Sequence, residues 1–373
     1  MYSIAVADVG KNQVFITGTV DEDKGAASSA AEGLYRELAS ILRTHGLRIL
    51  HERVFGRLDF YEKLVEIRRK CLNSENEPFS YMEGQPCDGS GLTGIQVHAV
   101  KPASDDRFWI IHNKNRPCGR GWRRYDTTYV YLAGITGARQ AGGRYEQTQD
   151  QFKQIDRILA SQNLGFRHVV RTWIYLEDIL DWYDEFNSIR TNALKELGLI
   201  PGRIDNSEID SIYLPASTGI GGKNPAGMPG ICDVLAVAGD PEATILRGMN
   251  QRSAFRYGSA FSRGVCVQGK ELCQIFVSGT AAIDDRGNSL FPGNVEEQIA
   301  RTIESIEALI GEKGACLNDI RCATVFLKHP KDLALFNRIA RRFELKHLPA
   351  VYVTADICRR ELLFEMDALA VVT

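Results

Sequence analysis

One pattern of residues occurs three times along this chain. Three runs, VFITGTV at 14–20, VYLAGIT at 130–136 and IFVSGTAAI at 275–283, have the pattern of strands and carry glycine at the fifth position. Each run is followed by an amphipathic stretch of helical period, a second strand, a second helix and a closing strand. The triplicated β-α-β-α-β order therefore predicts an α+β chain built from three tandem units.

The repeats also give the expected bounds of the units. Unit 1 is placed at 1–101, unit 2 at 127–240 and unit 3 at 271–373. The segments between them, 102–126 and 241–270, are rich in glycine, arginine and polar residues, which is typical of connectors. A chain of 373 residues exceeds one ordinary core, and several units accommodate that length.

Composition excludes several classes of protein. A net charge of −2 gives no overall basic signature for nucleic acid, and no apolar run is long enough to span a membrane. The N-terminus lacks the charged and apolar regions of a secretory signal. Nine cysteines, an odd number without a C-x-x-C pair, favour reduced thiols over disulfides or a zinc site. We expect a cytoplasmic protein that needs no metal or other cofactor.

The closing strand of unit 3 carries a carboxylate that the other units lack. Aligning the Ala-Val pair of the three closing strands sets Glu365 against Gly94 and Ile231, whereas Asp367 is matched by Asp233. A carboxylate that faces a packed interior is unfavourable unless it has a partner or a role. Glu365 is therefore a candidate functional residue and Asp367 a structural one. The alternative is that this face of the closing strand in unit 3 is simply exposed to solvent.

Five motifs follow one another through units 2 and 3. They are HVVRTWIYLEDI from 168, LPASTGIGG from 214, QRSAFRYGSAFSRG from 251, VSGTAAI from 277 and DICRRELLFEMDA from 356. Together with the three units, their order resembles the RidA/YjgF/UK114 superfamily and, within it, the chorismatase branch. The resemblance covers essentially the whole chain and is weakest in unit 1, the divergent copy.

The resemblance implies an assembly and an activity. RidA proteins are trimers of small α+β subunits with ligand sites at the subunit interfaces. Three units in one chain therefore imply an intramolecular pseudo-trimer, expected as a monomer or a loose dimer, with one working site between units 2 and 3. Chorismatases cleave chorismate to pyruvate and a cyclohexadiene or hydroxybenzoate product, so the expected partner is a small carboxylate substrate.

Two departures from the chorismatase pattern affect the expected substrate. The branch carries a longer Tyr-Gly-Pro-Arg-Ser-Pro-like insert, whereas RYGSAFSRG runs straight on from Arg256 here. Its Trp-Asn-Tyr pattern is replaced by Trp173-Ile174-Tyr175. A shorter loop predicts a reshaped pocket and allows a different substrate.

The resemblance assigns the catalytic roles to Glu365 and Cys358. Cleavage of an enolpyruvyl ether begins with protonation of carbon, which requires a carboxylic acid that is still protonated at neutral pH. Burial on an apolar strand raises the pKa of a glutamate in that direction, so Glu365 is expected to be the general acid. Cys358 is similar to the cysteine that steers ring rearrangement in the branch that yields 3-hydroxybenzoate. A small buried apolar role is the alternative for it.

The substrate-binding candidates are cations and pocket-lining residues. Arginines bind carboxylates in a bidentate manner, and Arg359, Arg263 and Arg171 are the candidates for this role. A surface ion pair is the alternative for each of them. The remaining candidates are expected to line the pocket with hydroxyl, ring or backbone groups, namely Tyr257, Tyr213, Thr218 and Gly219.

Other basic residues are given structural interpretations. We expect Arg256 and Arg360 to form surface ion pairs. Arg190 is as able to connect its helix to a loop as it is to bind a substrate carboxylate. The basic run RPCGRGWRRY at 116–125 is more typical of a solvated face or an inter-unit clamp than of an RNA site.

Three hypotheses on function remain open at this point. A chorismatase-like lyase or hydrolase uses Glu365 as its acid. A Rid-type deaminase hydrolyses enamines or imines, with Arg359 holding the carboxylate, although the chain has Ile-Cys-Arg-Arg in place of the usual Ala-Arg-Leu-Pro. A non-catalytic pseudo-trimer binds a small acid or a partner protein, because two of the three interfaces lack the carboxylate.

Overall fold

The first of three β-sheets is formed by unit 1. The computed structural model describes residues 1–20, 27–73, 77–86, 91–205, 208–248, 252–345 and 347–372. Five strands pair in the order β1-β2-β6-β3-β4, and they are β1 (Tyr2–Val9), β2 (Gln13–Val20), β3 (Arg48–Gly56), β4 (Ser80–Glu83) and β6 (Leu92–Val100). Helices α1 (Ala27–Thr44) and α2 (Tyr61–Leu72) pack on one face of the sheet.

Unit 2 and the segment before it form the second sheet. Its strands are β7 (Arg107–Asn113), β8 (Arg116–Arg124), β9 (Thr127–Ile135), β10 (Val169–Leu176), β11 (Ala216–Gly221) and β12 (Gly230–Ala238). They pair in the order β11-β10-β12-β9-β8-β7. Helices α3 (Arg144–Ser161) and α4 (Tyr183–Glu196) cover one face. The segment expected as a connector therefore contributes the hairpin β7–β8.

Unit 3 and its preceding segment form the third sheet. Its strands are β13 (Glu242–Leu246), β14 (Gly264–Gln268), β15 (Cys273–Ala281), β16 (Ile320–Leu327), β17 (Ala350–Thr354) and β18 (Phe364–Val372). They pair in the order β13-β14-β15-β18-β16-β17, and the short β5 (Gln85–Pro86) of unit 1 adds to β17. Helices α5 (Val295–Gly311) and α6 (Leu333–Arg342) cover one face.

The three sheets share one apolar interior. Each sheet packs its own helices on one face, and residues from the opposite faces of all three form a common core that includes Phe15, Trp173 and Phe326. Strand side chains alternate between faces, which explains why these strands are apolar on both sides. The expected α+β chain of three tandem RidA-like units in an intramolecular pseudo-trimer is confirmed. Among the described helices, none combines the length and the apolar character needed to cross a bilayer.

Candidate functional site

Glu365 lies at the start of β18, in the middle of the third sheet. It pairs with Ala281 on one side and Phe326 on the other, and only 4% of its surface is exposed. The register of β15 shifts between Val277 and Thr280. Within this irregular stretch a Cβ on Gly279 would lie 2.1 Å from Glu365 Oε1, so the carboxyl group lies directly on the glycine backbone. Glycine at this position makes room for the carboxyl group.

The surroundings of Glu365 keep it protonated. Burial, followed by the charge of Asp367, raises the pKa of Glu365 to about 8, although Arg171 and Arg263 act in the opposite direction. A carboxyl group with a pKa above 7 carries its proton at neutral pH. The environment therefore provides a buried carboxylic acid, which is what protonation of carbon requires.

The positions that align with Glu365 in units 1 and 2 carry no carboxyl group. Ile231, which aligns with Glu365, has its Cδ1 3.6 Å from the Cβ position of Gly134. At Gly94, an added Cβ would meet the Gly18 carbonyl oxygen at 2.5 Å and a methyl group of Val351 at 3.0 Å. Ile231 and Gly94 carry no ionisable group, so unit 3 is the one unit with a carboxyl group at this position of its closing strand.

A pocket lies between unit 2 and unit 3 beside this carboxyl group. Its free volume is about 40 Å³, enough for a few water molecules. Six of the nine residues predicted for the site line it: Glu365, Cys358, Arg359, Arg263, Tyr257 and Gly219. The pocket also includes Tyr183 and Arg190 of α4, which sequence reasoning did not select.

Three predicted residues lie outside the pocket lining. Arg171 donates from Nη2 to Asp367 Oδ2 at 3.0 Å and to Thr218 Oγ1 at 2.5 Å, and the Thr218 hydroxyl donates to Asp367 at 2.8 Å. Tyr213 donates its hydroxyl to the Val169 carbonyl at 3.2 Å. Arg171 and Thr218 thus lie behind the carboxyl group, where the arginine acts on Glu365 through its charge.

Asp367 links two units through these bonds. Besides Arg171 and Thr218, its Oδ1 accepts a hydrogen bond from the Thr324 backbone N–H at 3.2 Å. Burial lowers the pKa of Arg171 to about 10, and the negative charge of Asp367 opposes that change. The full set of partners on Asp367 agrees with the structural role expected for it.

Arg263 and Arg359 enter the pocket without an acidic partner. Arg263 is only 3% exposed, and it donates from Nε to the Arg252 carbonyl at 3.2 Å and from Nη2 to the Tyr257 hydroxyl. Arg359 donates from Nη1 to the Gly287 carbonyl. Within the described part of the chain neither guanidinium forms an ion pair, so both retain charge for an anionic ligand.

Arg190 is a third arginine in the same pocket. It is 3% exposed, donates from Nη2 to Asn187 Oδ1 at 2.6 Å, and lies over the rings of Phe186 and Phe261. No described residue accepts a hydrogen bond from its Nε or forms an ion pair with it. The sequence does contain a signal, because the helical period places Arg190 on the apolar face of α4 with no acidic residue three or four positions away.

Cys358 stays a neutral thiol in this environment. Burial, and then the charge of Glu365, raises the pKa of its thiol to about 12. The Tyr183 hydroxyl interacts with this thiol, and burial raises the pKa of the tyrosine as well. At neutral pH the pocket therefore presents a thiol and a phenol rather than a thiolate.

The other basic residues behave as structural groups. Arg256 pairs with Asp210 at 2.6 Å, and Arg360 pairs with Asp181 at 3.7 Å, which confirms the two expected ion pairs. In β8, Arg120 donates to Glu77 at 2.9 Å and to the Pro78 carbonyl at 2.7 Å. The basic run thus contains a clamp between units 1 and 2. Among the described residues, no three His, Cys, Asp or Glu side chains gather as metal ligands.

The sequence of this chain is similar to those of several known proteins. Residues 125–204 and 252–372 match the endoribonuclease L-PSP family. A RutC family protein of Pyrococcus abyssi is 37% identical over 97 residues, which cover 26% of this chain and 76% of the relative. A 3-hydroxybenzoate synthase of Streptomyces hygroscopicus is 24% identical over 311 residues, covering 75% of this chain and 86% of the relative.

One solved structure extends the likeness to the whole architecture. A crystal structure of a chorismatase superposes with a TM-score of 0.63 at 19% identity, covering 86% of this chain and 92% of the chorismatase. Because the segments that match the family cover more than half of the chain, it belongs to the endoribonuclease L-PSP family, that is, the RidA superfamily. Its relatives of comparable length place it near the chorismatase branch, which confirms the resemblance noted from the motifs.

Proposed function

We propose that this protein is a cofactor-independent, cytoplasmic enzyme that cleaves the enolpyruvyl ether of chorismate or of a related small carboxylate and releases pyruvate. One observation carries the proposal. A buried glutamic acid, Glu365, whose pKa is raised to about 8, lines a pocket with three arginines that have no ion-pair partner among the described residues. A proton donor beside unpaired cations suits an anionic substrate that must be protonated.

The steps of the proposed reaction use side chains of the pocket. The Glu365 carboxyl group donates its proton to the methylene carbon, the double-bond electrons form the new C–H bond, and the ether carbon becomes an oxocarbenium centre. The Glu365 carboxylate then stabilises this cation and accepts a proton from the attacking water. The resulting hemiketal collapses with cleavage of its C–O bond, which gives pyruvate and the ring alcohol. For a hydroxybenzoate product, we assign to the Cys358 thiol, which lines the pocket, the role of steering the rearrangement of the ring.

The arginines supply the binding energy for the substrate carboxylates. Arg190 and Arg263 are almost fully buried, so a carboxylate that pairs with either gains a charge-assisted hydrogen bond in a low-dielectric site. Arg359 lies nearer the surface and is already oriented by the Gly287 carbonyl. Two carboxylates on one small substrate match this arrangement better than a single carboxylate does.

The pocket must open before such a substrate binds. Its free volume of about 40 Å³ is well below the 300–1,000 Å³ typical of small-molecule sites. A second cavity of about 370 Å³ also has Arg263 in its lining, and Arg263 donates to the hydroxyl of Tyr257, which lines the first cavity. Displacement of these two side chains would join the cavities into a site of ordinary size. The short RYGSAFSRG segment contains both residues, so its length also bears on which substrate is accepted.

A Rid-type deaminase is the second candidate. The RutC family relative and the position of Arg359 favour it, since an enamine is also protonated on carbon and carries a carboxylate. Hydrolysis of an enamine releases ammonia, whereas cleavage of an enolpyruvyl ether releases a hydroxylated ring. The two proposals are therefore separated by the product.

Pyruvate release from chorismate by the purified protein tests the first proposal. We expect release by the unaltered protein and a loss of at least 100-fold in E365Q, because the amide cannot donate an acidic proton to carbon. E271Q, which alters a glutamate that is 66% exposed, is the matched control and is expected to retain activity. Absence of release at high enzyme concentration would exclude this activity, and acceleration of ammonia release from 2-aminoacrylate over the uncatalysed rate would then support the deaminase.

A further inference from the structure

Two cysteines outside the candidate site form a close pair across a hairpin. Cys266 lies in β14 and Cys273 begins β15, and their Sγ atoms are 2.8 Å apart. A disulfide bond measures about 2.05 Å, so the two sulfurs are within a small movement of bonding distance. Both are free thiols in this structure.

The strand register explains how they meet. Cys266 is directly opposite Ile275, which places Cys273 diagonally across from it, two residues along β15. Diagonal neighbours on one face of an antiparallel pair are within reach of each other's side chains. Both thiols point to the face that packs against α5. Their proximity thus follows from the register rather than from a chance rotamer.

From this juxtaposition we infer that Cys266 and Cys273 form a redox-modifiable site, in which a low-molecular-weight disulfide oxidises the two thiols to an intramolecular disulfide. The Cys273 thiolate attacks one sulfur of the small disulfide, forms a mixed disulfide and displaces one thiolate. Cys266 then attacks Cys273 Sγ and displaces the second thiolate. The protein loses two electrons and two protons, and the small disulfide becomes two thiols.

The order of the two attacks follows from position and charge. Cys273 is the first residue of β15, directly after the hairpin turn, and is 7% exposed, whereas Cys266 is fully buried. A hydrogen bond from Cys266 lowers the pKa of the Cys273 thiol, and the charge of Lys313 acts in the same direction. Fraying of the hairpin end would therefore expose the more reactive thiol first.

The site also has a connection with the pocket. Strand β14 begins at Gly264, immediately after Arg263, and the Ser278 N–H of β15 donates to the Arg263 carbonyl at 2.9 Å. A cross-link between the strands would restrain the hairpin that presents this arginine. The inference itself concerns only the disulfide and does not depend on the proposed enzyme activity.

Peptide mapping after oxidation tests the inference directly. The full-length protein is incubated with oxidised glutathione, quenched with N-ethylmaleimide in denaturant so that buried free thiols are also blocked, and digested with trypsin without reduction after the denaturant is removed. Trypsin cuts after Lys270, between the two cysteines, so the disulfide appears as peptides 264–270 and 271–286 joined together. We expect this species in the unaltered protein and in C316S, which removes an exposed cysteine, but not in C273S.

Two outcomes would overturn the inference. One is glutathione attached to Cys316 while peptides 264–270 and 271–286 remain separate, since the oxidant has then reached a thiol without forming the bond. The other is absence of the joined peptides at every ratio of oxidised to reduced glutathione. Circular dichroism of C273S and C266S checks that each variant is folded, and either variant alone suffices for the comparison.

Discussion

Arg171 and Asp367, which are 196 residues apart in the sequence, join unit 2 to unit 3 through a buried ion pair of 3.0 Å. His51 and Asp233 join unit 1 to unit 2 at 2.8 Å. Because Asp233 and Asp367 occupy matching positions in their closing strands, the two contacts are equivalent, and each links a closing strand to the neighbouring unit. At the third interface the matching residue is Gln96, whose Nε2 donates to the Ala323 carbonyl at 2.6 Å. The triplicated sequence thus produces triplicated inter-unit contacts near the centre of the molecule.

Replacement of Arg171 by methionine is expected to destabilise the protein by about 3–5 kcal/mol, because it leaves Asp367 buried without its cation. Urea unfolding monitored by tryptophan fluorescence measures the change. R360A removes an exposed pair with Asp181 and is the control, expected to leave the unfolding midpoint nearly unchanged. Equal midpoints for R171M and R360A would show that the buried ion pair between Arg171 and Asp367 contributes nothing to stability.

The pH dependence of pyruvate release is expected to follow the Glu365 proton. Burial raises the pKa of Glu365 to about 8, so the acid is present below that pH and is lost above it. The ratio kcat/KM, which reports ionisation of the free enzyme, should therefore stay level up to about pH 7 and fall roughly tenfold per unit well above pH 8. Because the negative charge of Asp367 raises this pKa, D367N should move the fall to lower pH. A rate that increases between pH 8 and 9 would contradict the assignment of Glu365 as the acid.

Loss of the Arg190 guanidinium is expected to weaken substrate binding. A charge-assisted hydrogen bond contributes about 1.5–3 kcal/mol, so R190M should raise KM by roughly 10- to 100-fold. Steady-state kinetics of R190M beside R157A, an exposed arginine of α3, separates this effect from a general loss of charge. An unchanged KM in R190M would mean that the substrate carboxylates bind elsewhere.

An alanine at position 279 is expected to abolish activity without unfolding the protein. Its Cβ would lie 2.1 Å from Glu365 Oε1, so the carboxyl group must leave its place. G165A is the matched control, because an added Cβ at Gly165 meets nothing within 4 Å. Activity and thermal unfolding are measured for both variants. Full activity in G279A would show that the carboxyl position is not critical.

The units, their closing strands and the presence of a carboxylate in one closing strand of the three could be predicted from the sequence. Periodicity is a local property, and internal alignment shows directly that Gly94 and Ile231 stand where Glu365 does. Contacts between residues that are distant in the sequence cannot be predicted from such local patterns. Nothing near Arg171 in the sequence shows that its guanidinium pairs with Asp367, so the sequence predicts a substrate-binding role for it in the same way as for Arg263 and Arg359.

Arg190 illustrates the opposite case. A tie between helix and loop was an equally good interpretation of it, because only the fold reveals that no described residue forms an ion pair with it. The free volume of the pocket is equally inaccessible to sequence reasoning, since it depends on where the Arg263 and Tyr257 side chains meet. The bounds of the connectors remain a prediction, although strands β7, β8, β13 and β14 show that these segments extend the sheets.

The addition of β5 from unit 1 to the edge of the third sheet has a consequence for how the protein behaves in dilute solution. In an assembly of separate subunits, an interfacial site is lost once the concentration falls below the dissociation constant. Here one polypeptide supplies both walls of the pocket, and the contact between Val353 and Pro86 closes the circle from unit 3 back to unit 1. Specific activity should therefore stay constant upon dilution, and each interface is free to differ in sequence from the other two.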